Sequence, residues 1–170
     1  FRLEEPTRAG YTFAGWTGSN GTTPQIDVGV AQGSTGNLHF EANWTANGYK
    51  ILYTGVEGAD VSTFPTEHVY GTDTVIPNPT KTGYGFAGWK VNGSAAARDL
   101  TLSGTAYTAD IALEATWTAN EFTITYSGVE GADVSTFPTK HVFGTDTAIP
   151  NPTKTGYGFA GWKVNGSAAA

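Results

Sequence analysis

The sequence Pro-Thr-Lys-Thr-Gly-Tyr-Gly-Phe-Ala-Gly-Trp at residues 79–89 returns unchanged at residues 152–162, and in the diverged form PTRAGYTFAGW at residues 6–16. The last residue of each copy, Trp16, Trp89 and Trp162, recurs every 73 residues, and the same interval separates Trp44 from Trp117. Self-similarity at a fixed period is the signature of a repeat protein. The sequence therefore predicts a tandem array with a 73-residue repeat.

The second and third copies are almost identical. Residues 53–97 align with residues 126–170 without a gap, and only four of the 45 positions differ. We predict an incomplete repeat at 1–48 that lacks its first strand, a complete repeat at 49–121, and an incomplete repeat at 122–170 that lacks its last strand. Because each incomplete repeat would expose an apolar edge, we expect it to pack on the complete repeat or to exchange strands with a neighbouring molecule.

Hydropathy alternates along several short segments of the complete repeat. Apolar side chains occupy every second position from Tyr49 to Tyr53 and from Ile111 to Trp117, as expected for half-buried strands. Residues 86–91 also read as a strand, and residues 68–76 as two short strands or one bent strand. The predicted fold is mainly β, α+β at most, and consists of small domains in tandem.

Turn signals separate these strands. Asn92-Gly93 predicts a type I′ hairpin turn, because both residues tolerate positive φ. Pro77 and Pro79 cannot donate ladder hydrogen bonds, so this segment is a connector. Residues 55–65 read as a loop or one helical turn, and residues 94–99 as a short helical turn.

Composition excludes several classes of function. The chain has 15 acidic and 9 basic residues, a net charge of −6, and its lysines and arginines are scattered, which argues against nucleic acid as a partner. It has no cysteine and therefore no disulfide or thiolate chemistry. Since no apolar run approaches the length of a membrane span, we expect no membrane insertion of this segment.

The two repeated motifs resemble a known family. The GY-x-F-x-GW motif (Gly83 to Trp89), followed by A-x-W-T (residues 115–118), resembles the internalin-type B repeat, also called the Listeria–Bacteroides repeat. The resemblance implies a β-grasp-like domain, found in tandem on secreted or wall-attached bacterial proteins as a spacer or an adhesive module. Residues 55–66 and 94–97 depart from the family pattern. The mucin-binding repeats of similar proteins are a neighbouring alternative.

Aromatic residues are the first candidates for a binding site. Tyr84, Phe86, Trp89 and Trp117 could form a platform on which sugar rings stack. A domain of this size has few other large apolar groups to bury, so the same residues are more readily its core. Tyr84, Trp89 and Trp117 are the possible ligand contacts among these residues, although a place in the core is the simpler interpretation.

The sequence gives less support to a catalytic or metal site made of polar residues. A Ser-His-Asp set could be drawn from Asp60, Ser62, His68 and Asp73, repeated as Asp133, Ser135, His141 and Asp146, but no strained turn presents the serine. His68 with Glu67 and Asp73 lacks a metal-ligand spacing, and Lys140 replaces Glu67 in the third copy. We predict no catalytic, metal or cofactor site.

A lone histidine and a possible isopeptide cross-link are two further candidates. His39 has no counterpart in the other copies, because Ala112 occupies its phase. An isopeptide cross-link would need Lys81 or Lys90 beside Asn92 and Glu114, and Lys90 next to the hairpin is expected to be exposed.

The sequence therefore predicts a non-enzymatic, extracellular role on a bacterial cell surface or cell wall. Near-identical repeats without a repeated polar cluster favour a spacer that projects a distal domain and contacts only neighbouring repeats. The alternative is an adhesive module that binds host glycan or extracellular protein weakly in each repeat and gains by multivalency.

Overall fold

A computed structural model describes residues 1–166, which form strands and turns and contain no α-helix. The prediction of a mainly β fold is confirmed. The last four residues of the predicted third repeat, 167–170, lie outside the described residues.

The first copy forms a three-stranded antiparallel sheet. Its strands are β1 (Tyr11–Gly18), β2 (Gly21–Gln25) and β3 (Phe40–Ala46), in the order β2-β1-β3. Strand β3 is therefore an edge strand of this sheet.

The complete copy contains six strands. They are β4 (Gly48–Thr54), β5 (Glu67–Val69), β6 (Thr74–Val75), β7 (Tyr84–Val91), β8 (Thr101–Leu102) and β9 (Ile111–Ala119). Four of them make a sheet in the order β5-β4-β9-β7, and β6 pairs with β8 in a small second ladder. The segment predicted at residues 68–76 is thus two short strands.

The centre of the four-stranded sheet is a parallel pair formed by the first and last strands of the copy. Ile51 lies opposite Ile111, and Tyr53 opposite Leu113. Ile111 and Leu113 are fully buried, as their alternation with exposed Ala112 and Glu114 predicts. The largest buried side chain is Trp89 on β7, which completes the core.

The third copy retains one short antiparallel ladder, between β10 (Glu121–Thr123) and β11 (Lys140–Val142). This pair repeats the β4–β5 pairing of the complete copy. Among the described residues of the third copy, the segment that matches β7 is not a strand.

The Asn92-Gly93 turn forms as predicted, with φ of 49° and 81°. The expected helical turn at residues 94–99 is wrong, because the hairpin continues and Ala97 exchanges two backbone hydrogen bonds with Trp89. Residues 55–65 form two turns, closed by bonds from Ala59 to Val56 and from Phe64 to Val61, with no helix.

Two compact units make up the chain. The first consists of residues Phe1–Thr80 and Phe86–Thr116, and the second contains Lys81–Gly85 and the described residues from Trp117 onward. The first unit therefore holds the first copy together with most of the complete copy. Whether the incomplete copies are completed by packing on the complete copy or by strand exchange stays a prediction, as do the exact repeat boundaries.

Candidate functional site

An aromatic cluster surrounds Trp89 in the complete copy. Its ring lies 5.4 Å from the ring of Tyr53, 5.4 Å from Phe86 and 6.3 Å from Phe64, measured between centroids. The indole Nε1 donates to the carbonyl oxygen of Pro77 at 3.1 Å. Edge-on aromatic contacts and a satisfied indole N–H are the arrangement expected of a buried tryptophan.

Tyr53 closes this cluster on the side of the 55–65 loop. Its hydroxyl donates to the carbonyl oxygen of Pro65 at 2.7 Å. Burial disfavours the phenolate and raises the pKa of Tyr53 to about 12. The third copy repeats the cluster, with Trp162 5.5 Å from Tyr126 and its Nε1 3.2 Å from the Pro150 oxygen.

The three predicted ligand-contact residues fall into different environments. Trp89 has no exposed surface, so a sugar ring cannot reach it in this structure. Tyr84 and Trp117 are half-buried, and the ammonium group of Lys81 lies 4.8 Å from the Tyr84 ring centroid and 5.7 Å from that of Trp117. The structure thus brings Tyr84 and Trp117 together around a cation and leaves Trp89 in the core.

This cation–aromatic group recurs with each GY motif. In the first copy the Arg8 guanidinium lies 4.1 Å from the Tyr11 ring and 5.9 Å from Trp44. In the third copy Lys154 lies 4.8 Å from Tyr157. A positive charge placed over an aromatic face is stabilising, by about 0.5–1 kcal/mol at an exposed site.

The tyrosine of the GY motif also contacts the copy that follows it. The rings of Tyr11 and Tyr70 meet edge to face with centroids 5.3 Å apart, and those of Tyr84 and Phe143 do the same at 5.4 Å. Tyr70 and Phe143 occupy the same position in successive repeats. We call each of these pairs, with the residues that hold it, a repeat junction.

One asparagine connects the strands at each repeat junction. Asn47 separates β3 from β4, and Asn120 separates β9 from β10. The amide of Asn47 donates to Gly10 and its carbonyl accepts from the amide of Tyr70. Asn120 bonds to Gly83 and Phe143 in the same way, so the connection between copies is a hydrogen-bonded part of the fold.

Asp60, His68 and Asp73 each form a hydrogen bond within their own copy. The Asp60 carboxylate accepts from the Ser62 amide at 2.9 Å, which lowers the pKa of Asp60. His68 is buried, and its Nδ1 lies 2.8 Å from the Thr74 hydroxyl. Asp73 accepts from the Gly104 amide at 2.7 Å. The structure therefore does not assemble these residues into a triad.

Two matching residues of the third copy form the same hydrogen bonds. Asp133 accepts from the Ser135 amide at 2.9 Å, and the His141 Nδ1 lies 2.9 Å from the Thr147 hydroxyl. The Lys140 ammonium, which replaces Glu67, donates to Glu121 at 2.6 Å, and this bond raises the pKa of Lys140. Within residues 1–166, no group of three or more His, Asp or Glu side chains could hold a metal ion.

The residues that a cross-link would need have other partners. Lys90 lies 3.5 Å from Glu114 in an exposed ion pair. The side-chain oxygen of Asn92 accepts from the Ala112 amide at 2.9 Å, and Lys81 lies over Tyr84.

Sequence reasoning missed the partners at the repeat junction. The junction is formed by two pairs of residues that obey the 73-residue spacing, Asn47 with Asn120 and Tyr70 with Phe143. Asparagine between two strands and an aromatic residue at one fixed position were available signals. Their role was hidden because a motif read within one repeat does not show which contacts cross to the next.

Strand-built copies joined by recurring junction contacts define this chain as a β-rich tandem-repeat protein. It belongs to the Listeria–Bacteroides repeat domain family, whose model matches residues 1–43, 49–116 and 122–169. The narrower likeness to internalin-type B repeats stays an interpretation.

Two curated relatives come from Evansella cellulosilytica. One, named "Putative membrane protein", is 28% identical over 163 residues, which cover 94% of this chain and 24% of that protein. The other, named "Putative Gly-rich membrane protein", is 28% identical over 156 residues, covering 90% of this chain and 18% of that protein. The chain thus spans a quarter or less of the relatives it matches.

No solved structure matches the chain at a significant level. Among the described residues, no helix is both long and apolar enough to span a membrane.

Proposed function

We propose that the chain is a spacer segment of a bacterial cell-surface protein, and that its repeat junctions limit bending between successive copies. The observation that carries this proposal is the recurrence of one edge-to-face contact, Tyr11 with Tyr70 and Tyr84 with Phe143. A spacer needs length and stiffness but no reactive group. Length grows with copy number, and stiffness requires that copies be joined by more than a flexible linker.

The connection between copies supports stiffness. A single residue, Asn47, joins β3 to β4, and both its backbone groups are hydrogen-bonded to neighbouring segments. The Thr12 hydroxyl also donates to the Asn47 side-chain oxygen at 2.6 Å. A linker held in this way lacks the free backbone rotations of a Gly/Ser-rich tether.

Family membership and the names of the relatives support the location. Both relatives carry membrane-protein names, and this chain corresponds to a part of each. The proposal places these repeats outside the cell, on the surface or in the wall, between an anchor and a distal domain. It includes no catalytic step and no cofactor.

We include in the proposal that each copy is a β-grasp-like domain without its helix. The first and last strands, β4 and β9, form the central parallel pair, and β5 and β7 flank them. No described residue of this copy is helical, and Leu102 of the small β6–β8 ladder is fully buried.

Spin-label distances test the junction directly, because the chain has no cysteine of its own. Thr23→Cys and Glu57→Cys place labels on exposed residues of the first and second copies, both within the first compact unit. We expect a narrow distance distribution in the otherwise unchanged chain and a broad one after Tyr70→Ala. Tyr70→Phe, which copies the third repeat, is the matched control and should keep the distribution narrow.

Either of two results would contradict the spacer proposal. A broad distribution before any junction substitution would mean that the copies already move freely. A distribution that Tyr70→Ala leaves unchanged would mean that the aromatic contact does not hold them.

A multivalent adhesive role is the second candidate, favoured by the half-exposed Tyr84 and Trp117 that recur as Tyr11 and Trp44. Its ligand would be a host glycan or an extracellular protein. An array of glycans and matrix proteins tests this role. The variant is Trp117→Ala, because Trp89 is buried in the core and its replacement would disturb the fold. Binding lost in a folded Trp117→Ala chain would establish adhesion, and no binding would leave the spacer.

A further inference from the structure

The first and last strands of the complete copy lie side by side in the centre of its sheet. In the order β5-β4-β9-β7, β4 and β9 are the two inner strands, and they run parallel. Four successive residue pairs form their register, from Ile51 opposite Ile111 to Thr54 opposite Glu114. Further strands precede β4 and follow β9 in the chain.

The connections to the neighbouring copies attach directly to these two strands. Only Asn47 separates β3 from β4, and only Asn120 separates β9 from β10. A pull along the array therefore acts on β4 through its first residue, Gly48, and on β9 through its last residue, Ala119. Because each connecting asparagine is itself hydrogen-bonded, there is little slack between the load and the two strands.

Parallel strands that are loaded in this way are pulled in shear. The N-terminal end of β4 and the C-terminal end of β9 lie at opposite ends of the parallel pair. Tension slides one strand past the other, and a slip of one residue, about 3.3 Å, breaks every hydrogen bond of the register at once. In an antiparallel pair the same two ends would lie together, and tension would open the bonds one after another.

Neighbouring groups shield this register from water. Strand β5 covers the outer edge of β4, and β7 covers that of β9. The side chains of Ile51, Ile111 and Leu113 on the paired strands are buried. Since water competes for backbone hydrogen bonds, a shielded register yields less readily to force than an exposed one.

Side-chain hydrogen bonds extend the register at both ends. The Asp110 carboxylate accepts from the Lys50 amide at 2.9 Å, just before the first residue pair. The Thr54 hydroxyl donates to the Leu113 carbonyl oxygen at 3.3 Å, at the end of the register. Both bonds connect β4 to β9 or to the residue before it, so they are loaded together with the ladder.

We propose that the β4–β9 pair is a clamp that bears tension along the array. This function goes beyond the resistance to bending proposed above, because it depends on bonds within one copy and not on the repeat junction. It rests on the spacer role only in that a spacer transmits any force that acts on the domain it projects. A complete copy holds its length under such a load.

Single-molecule pulling on the full chain tests the clamp in two directions. The chain has no cysteine, so pairs of introduced cysteines set the points of attachment. Thr45→Cys with Thr118→Cys loads opposite ends of the strand pair, as tension along the array does. Thr45→Cys with Thr108→Cys loads the N-terminal ends of both strands and peels them apart. All three threonines are exposed.

We expect a several-fold higher unfolding force in the first direction than in the second, because only the first loads the whole register together. The copy should open in one step, with a released length that corresponds to residues 45–118 at about 3.3–3.6 Å per residue. Both double variants should have the same thermal unfolding midpoint by circular dichroism. The difference in force then follows from the direction of pulling.

Two aspartates provide matched variants in the first direction. Asp110→Ala removes a carboxylate that accepts one backbone amide across the clamp. Asp60→Ala removes a carboxylate that accepts one backbone amide, also at 2.9 Å, in a turn outside the clamp. We expect Asp110→Ala to lower the unfolding force and Asp60→Ala to leave it unchanged, with circular dichroism verifying that both variants fold.

Two results would overturn the clamp. Equal forces in the two directions, or a lower force in the first, would show that the parallel pair does not bear the load. A force lowered as much by Asp60→Ala as by Asp110→Ala would mean that resistance follows overall stability. Equal forces beside a narrow spin-label distribution would leave a stiff spacer without a clamp, so the two proposals fail separately.

Discussion

The ring of Phe143 occupies the space in which any residue other than glycine at position 83 would place its β-carbon. A β-carbon built on Gly83 would lie 2.3 Å from the nearest ring atoms of Phe143, and one built on Gly10 would lie 2.3 Å from those of Tyr70. Gly156 has the same backbone conformation, with φ of 81°, but among the described residues other than its chain neighbours no atom lies within 4 Å of such a β-carbon. The glycine of the GY motif therefore serves the repeat junction as well as the turn.

Gly83→Ala should destabilise the chain more than Gly156→Ala. Both replacements force an L-residue into the left-handed region, at about 1–2 kcal/mol. Only Gly83→Ala also displaces Phe143 and with it an aromatic contact of about 0.5–1.5 kcal/mol. Urea unfolding followed by tryptophan fluorescence measures both variants, and equal losses would contradict the steric role of the junction.

Tyr70→Phe should leave stability nearly unchanged, whereas Tyr70→Ala should lower it by about 1–3 kcal/mol. The Tyr70 ring makes the edge-to-face contact with Tyr11, and phenylalanine makes the same contact at position 143. Removing the ring loses that contact and part of its buried area. Thermal unfolding gives the comparison, and a Tyr70→Phe loss as large as that of Tyr70→Ala would show that the hydroxyl carries the effect.

Strands, turns and the repeat length could be predicted from short-range sequence patterns. The alternation of Ile111, Leu113 and Ala115 with exposed residues located β9, because period-two burial is read directly from the sequence. Asn92-Gly93 located a turn, because few residue pairs adopt positive φ twice. The 73-residue period predicted the array before any strand was placed.

Contacts between distant segments could not be read in this way. The parallel pairing of Ile51 with Ile111 joins strands 60 residues apart, and alternation does not identify a partner. The alanine-rich stretch after Asn92-Gly93 suggested a helical turn because alanine favours helices, but pairing of Ala97 with Trp89 extends the hairpin. Tyr84 was read within one repeat, whereas its ring partner Phe143 lies in the next.

Trp89→Ala should lower the free energy of unfolding by about 3–5 kcal/mol, because it opens a large cavity in a closed core. It also leaves the Pro77 carbonyl without its indole donor. Trp162→Ala is the matched control: its ring is only half-buried, so we expect a smaller loss. Chemical denaturation measures both, and a larger loss for Trp162→Ala would contradict the assignment of Trp89 as the central core residue.

Alkaline pH should destabilise the chain through Tyr53. The pKa of Tyr53 is raised to about 12 from an ordinary value of 10, so above pH 10 the unfolded chain releases a proton that the folded chain retains. The contribution of Tyr53 to stability is therefore complete below pH 10 and is lost as pH rises toward 12. Unfolding midpoints between pH 8 and 12 should fall less steeply in Tyr53→Phe than in the unchanged chain.

The control for this pH series is Tyr157→Phe, which changes a tyrosine with 73% of its surface exposed. It should leave the slope above pH 10 as it was. Equal slopes for Tyr53→Phe and the unchanged chain would show that the buried hydroxyl does not contribute to alkaline unfolding.

Substitutions at Asn92 should separate its two roles in the hairpin. Its φ of 49° is a conformation that asparagine, aspartate and glycine adopt readily, and its side-chain oxygen accepts from the Ala112 amide at 2.9 Å. Asn92→Asp keeps both features and should be nearly neutral. Asn92→Gly keeps only the conformation and should lose about 1 kcal/mol for the hydrogen bond, whereas Asn92→Ala also strains the backbone and should lose about 2–3 kcal/mol. Thermal unfolding of the three variants gives the order, and an alanine variant as stable as the glycine variant would show that the left-handed turn is not maintained in solution.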